Sequence, residues 1–268
     1  MAQGYDYSAG FYDDVAGQGM TSFTHLFLDD LRIPKDPVVL DVACGTGIAT
    51  FELMKAVTTG GRFYGIDISS SMIAKATANA QRHGLTNCVF QPGDAEDLGF
   101  PDAMFDVVIS SGSFHWFPDK LQALREMYRV LKPGGQVALR FNGEKAWHRV
   151  FHILIQLEQA HPEFSMTPSW TTIRDYFSLT LEDAYDLFDR VGFEKARIHG
   201  IHRITYVAPE QLRRGMDSVW AFWQSGFSPD TVERYKDRLV EAMLKQSTPR
   251  GFPYTSYWII AYGQKPAA

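Results

Sequence analysis

Residues 38–47, Val38-Val39-Leu40-Asp41-Val42-Ala43-Cys44-Gly45-Thr46-Gly47, constrain the fold more than any other stretch of this chain. The β-branched and aliphatic run reads as a buried strand, and Gly45 and Gly47 let the backbone turn sharply and approach a ligand. Residues 48–56 read as the helix that follows, which completes the strand, turn and helix of a nucleotide-binding unit. The acid decides which nucleotide. A carboxylate at Asp41 repels a pyrophosphate and attracts a ligand that carries an ammonium and a sulfonium. Thr50 stands where a full dinucleotide fingerprint has its third glycine, so a nicotinamide dinucleotide loses further support.

After residue 37 strand and helix patterns alternate, which predicts a mostly parallel sheet with helices on both faces. Val38–Val42 is the first strand, and 62–66 is the second, ending at Asp67. Ser69 or Ser70 caps a helix whose apolar stripe is Met72, Ile73 and Ala76. A short strand at 88–91 runs into Pro92-Gly93-Asp94. The fourth, at 105–110, has the continuous centre Val107-Val108-Ile109 expected of a strand buried on both faces. A helix over 120–131 stops at the breaker Lys132-Pro133-Gly134-Gly135, and 136–141 is the fifth strand.

The second half is less regular. Helical patterns cover 147–160, Leu181–Val191, 209–225 and Pro229–Lys245, with strands at 196–207 and 257–262 among them. The expected organisation is a covering segment at 1–35, a core at 36–142, helical insertions at 143–178 and 208–254, a core completion at 179–207, and a last strand and tail at 255–268. Five of the six tryptophans, Trp147, Trp170, Trp220, Trp223 and Trp258, lie in this half. They either line an apolar pocket or simply pack inserted helices against the sheet.

Bulk properties exclude several classes. A net charge of -5 gives no general footprint for nucleic acid or an anionic membrane. Two cysteines, Cys44 and Cys88, cannot build a disulfide framework or a cysteine metal site, and they fit a reducing compartment. His148 and His152 have the spacing of a metal pair on a helix, but no supporting ligand accompanies them, so no metal is expected. The first residues lack a basic start and an apolar stretch, and no apolar run approaches the roughly 18 residues that span a bilayer. The expected compartment is the cytoplasm, and the expected partner is a small molecule. Oligomeric state is not readable from the pattern.

Asp67 lies 20 residues beyond Gly47, at the end of the second strand, where a carboxylate can accept from two ribose hydroxyls. It could also merely cap the next helix. Ile68 and Met72 could sandwich an adenine or belong to the core. Asp94 follows the third strand, where its carboxylate can accept from an exocyclic amine while the backbone of Ala95 serves the ring. Ser110 and Ser111 end the fourth strand, with His115 and Trp116 a few residues on. Glu96 and Asp97 read as solvated loop charges.

Asp41-Val42-Ala43-Cys44-Gly45-Thr46-Gly47, Gly65-Ile66-Asp67-Ile68-Ser69, Gly93-Asp94-Ala95-Glu96, Phe105-Asp106-Val107-Val108-Ile109-Ser110 and Arg129-Val130-Leu131-Lys132-Pro133-Gly134-Gly135 together resemble class I S-adenosylmethionine-dependent methyltransferases. The resemblance covers about 36–142 and extends more weakly through 181–193 and the final strand. Phe114-His115-Trp116-Phe117 is similar to the small-molecule type, such as trans-aconitate, malonyl-carrier-protein and ubiquinone-pathway methyltransferases. It implies a Rossmann-like α/β fold of seven strands, one antiparallel near the C-terminus, with S-adenosyl-L-methionine as cofactor.

The implied cofactor residues are Tyr12, Asp41, Ala43, Gly45, Gly47, Asp67, Ile68, Met72, Asp94, Ala95, Ser110 and Ser111. Ala43 departs from the commoner glycine. By analogy His115, Trp116, Trp147 and Trp220 border the acceptor, and His115 is the candidate general base. The expected reaction is in-line methyl transfer to a small organic acceptor with apolar or aromatic surface. Acidic acceptors stay open because Arg140, Arg149, Arg174, Arg203, Arg213 and Arg214 occur around the cover. The alternatives are a cyclisation or rearrangement on the same fold, a noncatalytic binding protein, and a dehydrogenase.

Overall fold

The computed structural model describes residues 30–57, 60–165, 168–213 and 227–267. Its strands are β1 (Val38–Val42), β2 (Arg62–Asp67), β3 (Cys88–Pro92), β4 (Phe105–Ser111), β5 (Leu131–Asn142), β6 (Glu194–Val207) and β7 (Phe252–Gln264). They form one sheet in the order β3-β2-β1-β4-β5-β7-β6. The pairs β1 with β2, β1 with β4, β2 with β3 and β4 with β5 are parallel. β7 runs the other way. The Gly134 N–H donates to the Lys265 carbonyl and the Gly143 N–H to the Tyr257 carbonyl, so one strand ascends as the other descends.

The described helices are α1 (Ile48–Ala56), α2 (Ser70–Arg82), α3 (Lys120–Val130), α4 (His148–Ala160), α5 (Trp170–Asp175), α6 (Leu181–Val191) and α7 (Pro229–Lys245). Local chemistry sets their ends. Ser69 Oγ accepts from the Met72 N–H at 3.2 Å and opens α2, whose buried side includes Met72, Ile73 and Ala76. Asp119 caps α3 and Ser228 caps α7 in the same way. Residues 209–213 are helical, and the rest of the expected helix at 209–225 lies outside the described residues.

The chain divides into two compact units, one of Met1–Phe141, Leu181–His199 and Ile259–Ala268, the other of Asn142–Thr180 and Gly200–Trp258. The division falls inside β6 and β7 rather than in the loops around them. β7 extends beyond the expected 257–262 at both ends, whereas β6 starts just before the expected 196 and ends at Val207 as expected. In the first unit Val107, Val108 and Ile109 are fully buried at the centre of the sheet. The second unit has its own aromatic core, in which Phe151, Phe164, Trp170 and Tyr235 are buried.

β5 also starts earlier than expected. Leu131 pairs with Phe105 and Gln136 with Val107, so the breaker residues between them form a bulge inside the strand instead of a free turn. Their polar backbone groups find partners there: Gly134 with Lys265, and Gly135 with Lys265.

Candidate active site

Because β1, β2, β3 and β4 are parallel, Asp41, Asp67, Asp94, Ser110 and Ser111 all come to the carboxyl edge of the sheet. Ligands of open α/β sheets bind at this edge. The turn after β1 is held by its own backbone, with the Cys44 N–H on the Ile66 carbonyl and the Gly47 N–H on the Cys44 carbonyl. Gly45 and Gly47 have φ of 55° and 89°. A Cβ on Gly47 would meet the Phe51 ring at 2.7 Å, whereas one on Gly45 would enter open space. The turn therefore needs Gly47 for packing and leaves room above Gly45. Ala43 adopts φ of 57° with its methyl in place, so the turn survives there under strain.

Asp41 is 1% exposed. One carboxylate oxygen accepts from Thr50 Oγ1 at 2.6 Å, and the other, Oδ1, has no hydrogen-bond partner. Burial, reinforced by the nearby Asp67 charge, pushes its pKa up to about 7 despite the Thr50 bonds. Thr50 is a residue that sequence reasoning missed: it was read as a missing glycine, yet its fully buried hydroxyl orients the carboxylate. The same surroundings hold the Cys44 thiol protonated, since burial and the carboxylates of Asp41 and Asp67 all push its pKa up.

Asp67 braces the turn from β2. Its Oδ2 accepts from the Gly45 N–H and its Oδ1 from the Ser69 N–H, both at 2.9 Å. The carboxylate thus ties the start of α2 to the turn after β1. Ile68 and Met72 are not brought together: Ile68 is 62% exposed and Met72 is packed in the core, so the expected sandwich has one open wall only. Asp94 is exposed, and its Oδ1 accepts from the Glu96 N–H in a tight turn with Ala95 at its tip. Glu96 is half-buried, and its carboxylate accepts from the Asp119 N–H at 2.8 Å.

Ser110 and Ser111 are buried at the end of β4, and neither hydroxyl has a hydrogen-bond partner. Ser113 Oγ donates to the Ala43 carbonyl at 3.3 Å and so ties this strand end to the first turn. His115 sits in the 3₁₀ turn Phe114–Trp116, fully buried, its ring 5.0 Å from that of Trp116. Burial and the charges of Lys120 and Arg140 lower its pKa to about 3. The ring is therefore neutral at neutral pH. The expected position of Arg140 is corrected. It lies on β5 within the sheet, 4% exposed, rather than around the cover.

In the second unit Trp147 takes a left-handed backbone, φ 58°, at the start of α4. Its N–H donates to the Thr255 carbonyl at 3.0 Å, and its indole lies 6.2 Å from Phe151, 6.0 Å from Phe177 and 5.9 Å from Tyr254. A bulky residue in that conformation is a strained one, held by its surroundings. Burial pushes the Tyr254 hydroxyl up, so it remains a neutral donor. Tyr12 and Trp220 lie outside the described residues. His148 and His152 are exposed on α4, and no metal-binding cluster occurs among the described residues. No helix there is long and apolar enough to cross a membrane. A surface cavity of about 400 Å³ lined by Glu182, Tyr185, Asp186, Asp189, Phe193 and Ala196 includes none of the predicted site residues.

A family model described as a methyltransferase domain matches residues 33–162. The chain is 36% identical over 125 residues to demethylmenaquinone methyltransferase of Listeria welshimeri, which is 46% of this chain and 53% of that one. It is 33% identical over 138 residues to the aklanonic acid methyltransferase DauC of Streptomyces sp. (strain C5), 52% of this chain and 63% of that one. The chain thus spans between about half and two thirds of the curated relatives it matches. Its fold is similar to that of Haemonchus contortus phosphoethanolamine N-methyltransferase 2, solved with phosphomonomethylethanolamine and S-adenosylhomocysteine, with a TM-score of 0.65, 18% identity, and coverage of 97% of this chain and 58% of that one. The sheet order and the turn after β1 agree with the match of residues 33–162 to the methyltransferase-domain model.

Proposed function

We propose that the protein transfers a methyl group from S-adenosyl-L-methionine to a small organic acceptor. The observation that carries this reading is the pair of buried polar atoms left without partners on one face of the sheet at its carboxyl edge, Asp41 Oδ1 and the Ser111 hydroxyl, with open space over Gly45. Leaving such atoms unsatisfied costs on the order of 1–3 kcal/mol each, which a ligand with complementary donors and acceptors recovers. Asp41 fits an ammonium, and Asp67 fits the two hydroxyls of a ribose. Asp94 and the Ala95 backbone fit an adenine edge, with Ile68 against its face. When bound, the cofactor supplies an electrophilic methyl on a sulfonium.

The chain's own contribution is placement. Asp41 and Asp67 fix the donor, while Trp116 and neutral His115 are the residues we assign to the acceptor. Alignment at near-contact distance, with water kept out, supplies most of the acceleration such a transfer needs. No residue described here is required to take a proton. Both curated relatives are named as methyltransferases of small organic molecules, which favours methyl transfer over cyclisation or simple binding.

The test is incubation of the protein with methyl-labelled S-adenosylmethionine and a metabolite extract, with the labelled product identified. Labelled product together with S-adenosylhomocysteine is expected. Cofactor consumption absent with every extract, alongside tight NAD binding by calorimetry, would end the proposal.

A further inference from the structure

β6 is the last strand of the sheet, with β7 along one side of it. The two are antiparallel. Lys195 at the start of β6 donates to Gln264 at the end of β7 at 2.8 Å, and the Val207 carbonyl at the far end of β6 lies against Gly251, just before β7. In an antiparallel pair each residue points its N–H and C=O to the same side, and the sides alternate along the strand. Ile198 points both outward: its N–H donates to the Tyr185 hydroxyl at 3.3 Å, and its carbonyl accepts from that hydroxyl at 3.2 Å. The Val207 carbonyl points inward, in keeping with the same alternation. The outward residues of the stretch between them are therefore Gly200, His202, Ile204 and Tyr206. Tyr185 stands in for a neighbouring strand at Ile198. Among the described residues no side chain or backbone group does so from Gly200 to Tyr206. Residues 202–206 are all exposed, Ile204 by 50% and Tyr206 by 39%.

We propose that this open edge pairs with the same edge of a second copy of the chain, antiparallel and centred on Ile204, so that two sheets join into one. An edge with unpaired backbone groups and exposed apolar side chains is a template for another strand. Residues 200–207 carry a single charged side chain, Arg203, which is too little to select a strand of opposite sign. Their own pattern selects a copy of themselves. Centring on Ile204 sets Ile204 against Ile204, His202 against Tyr206 and Arg203 against Thr205, and pairs of these kinds stabilise a sheet. Centring on Arg203 would place two guanidiniums directly opposite, which is unfavourable. Centring on His202 would bring Tyr206 onto Ile198, whose backbone Tyr185 already occupies. A centre beyond Ile204 runs past Val207, where the strand ends.

The register also sets the strength. Outward residues meet outward residues, so the pairing forms about six backbone hydrogen bonds across the two-fold axis. Two short strand edges bury less than the roughly 1,200 Å² at which standard stable interfaces begin. The dimer is therefore a weak one, with a dissociation constant on the order of 10–100 μM, and its symmetry is isologous.

The test is sedimentation of the full-length protein from about 1 μM to about 500 μM, a span that brackets the expected midpoint. The parent should pass from monomer to dimer. Ile204→Pro should stay monomeric throughout, because the N–H it removes faces the second copy, and should melt within about 3 °C of the parent, because the ladder to β7 is untouched. Ile204→Cys supplies the register. Two cysteines at the axis lie about 5.5 Å apart between Cα atoms and can form a disulfide. At Thr205→Cys the two lie beyond the roughly 7 Å that a disulfide spans. Air oxidation at high concentration should therefore join Ile204→Cys into a covalent dimer, and Thr205→Cys no more than the parent. A parent that is monomeric up to about 500 μM overturns the proposal and leaves the edge to some other strand. An Ile204→Pro variant that still dimerises overturns it as well, by placing the interface elsewhere, and so does a Thr205→Cys variant that cross-links while Ile204→Cys does not. Should Ile204→Pro fail to fold, the parent's sedimentation and the two cysteine variants decide.

Discussion

The two sides of the sheet's carboxyl edge are built on different principles. On the β1 and β2 side every acid is tied into backbone: Asp67 holds the N–H groups of Gly45 and Ser69, and Asp41 is held by Thr50. On the β4 and β5 side the polar groups are set by strand register, with Ser111 opposite Arg140 and His115 in a turn three residues beyond Gly112. The first side is a rigid socket whose shape is dictated by glycine turns. The second is a surface whose character depends on single side chains, which suits a part of the site that must differ between enzymes with different acceptors. The buried Asp41 carboxyl, with Oδ1 unpartnered, is a standing cost when ionised until a ligand of opposite sign arrives.

That contrast gives the largest expected effect to Asp41. Unfolded, its carboxyl loses its proton near the model-peptide value of 3.8; folded, near 7. The native state thus binds more protons between about pH 4 and pH 7, and unliganded stability falls as pH rises through that window. The full penalty above pH 7 is on the order of 4 kcal/mol. Asp41→Asn should therefore melt higher than the parent at pH 8 and near the parent at pH 4. It should also bind S-adenosylhomocysteine about 100-fold more weakly, the loss of one charged hydrogen bond in a dry site. Calorimetry in buffers of different ionisation enthalpy at pH 6.5 should show proton release on binding for the parent and none for the variant. A variant that binds as tightly as the parent would break the distinction between the two sides.

Asp67→Ala comes next. It removes the ribose acceptor and the brace of the turn together, so affinity should drop about tenfold and unfolding by urea should show a loss of about 1–2 kcal/mol. Lost affinity with unchanged stability would mean that the two backbone bonds contribute nothing, and the socket would be less rigid than its geometry implies.

On the other side, His115→Gln should leave kcat within about threefold and the acidic limb of the pH–rate profile in place. A side chain whose pKa is near 3 is neutral across the assay range, so its removal shifts no limb. Disappearance of a limb near neutral pH would show that His115 acts as the base.

Much of the socket was legible in the sequence because its chemistry is local. A glycine pair after an apolar strand, an acid 20 residues further on and a serine cap each announce themselves within a few positions, and β1 falls at Val38–Val42 as expected. Thr50 was not legible, since its partner lies nine residues away across a turn whose geometry decides whether a hydroxyl reaches it. Arg140 was visible only as one arginine among several. Its burial follows from the pairing of β4 with β5, and from the bulge at 131–136 that sets which face each β5 residue takes. A one-residue slip there would turn Arg140 to the opposite side. Arg213, by contrast, is engaged with Asp237 and Glu233 on the surface. The start of β7 was missed because the strand continues out of the core unit, where the flanking pattern no longer alternates cleanly.

The smallest expected effect concerns the one strained residue of the socket. Ala43 carries φ of 57°, a conformation that costs an alanine roughly 1–2 kcal/mol and a glycine nothing. Ala43→Gly relieves that strain but also loosens the unfolded chain, which returns about 0.4–1 kcal/mol. The net gain should be about 0.5 kcal/mol, read as a rise in Tm of about 1–2 °C. Affinity for S-adenosylhomocysteine should stay within about twofold, because what Ala43 offers the site is its carbonyl, the acceptor for Ser113, and glycine keeps it. A fall in Tm would show that the methyl packs against neighbours strongly enough to outweigh the backbone strain. Socket rigidity would then come from side-chain contact as well as from the turn, and the two sides of the edge would be less different than their hydrogen bonds suggest.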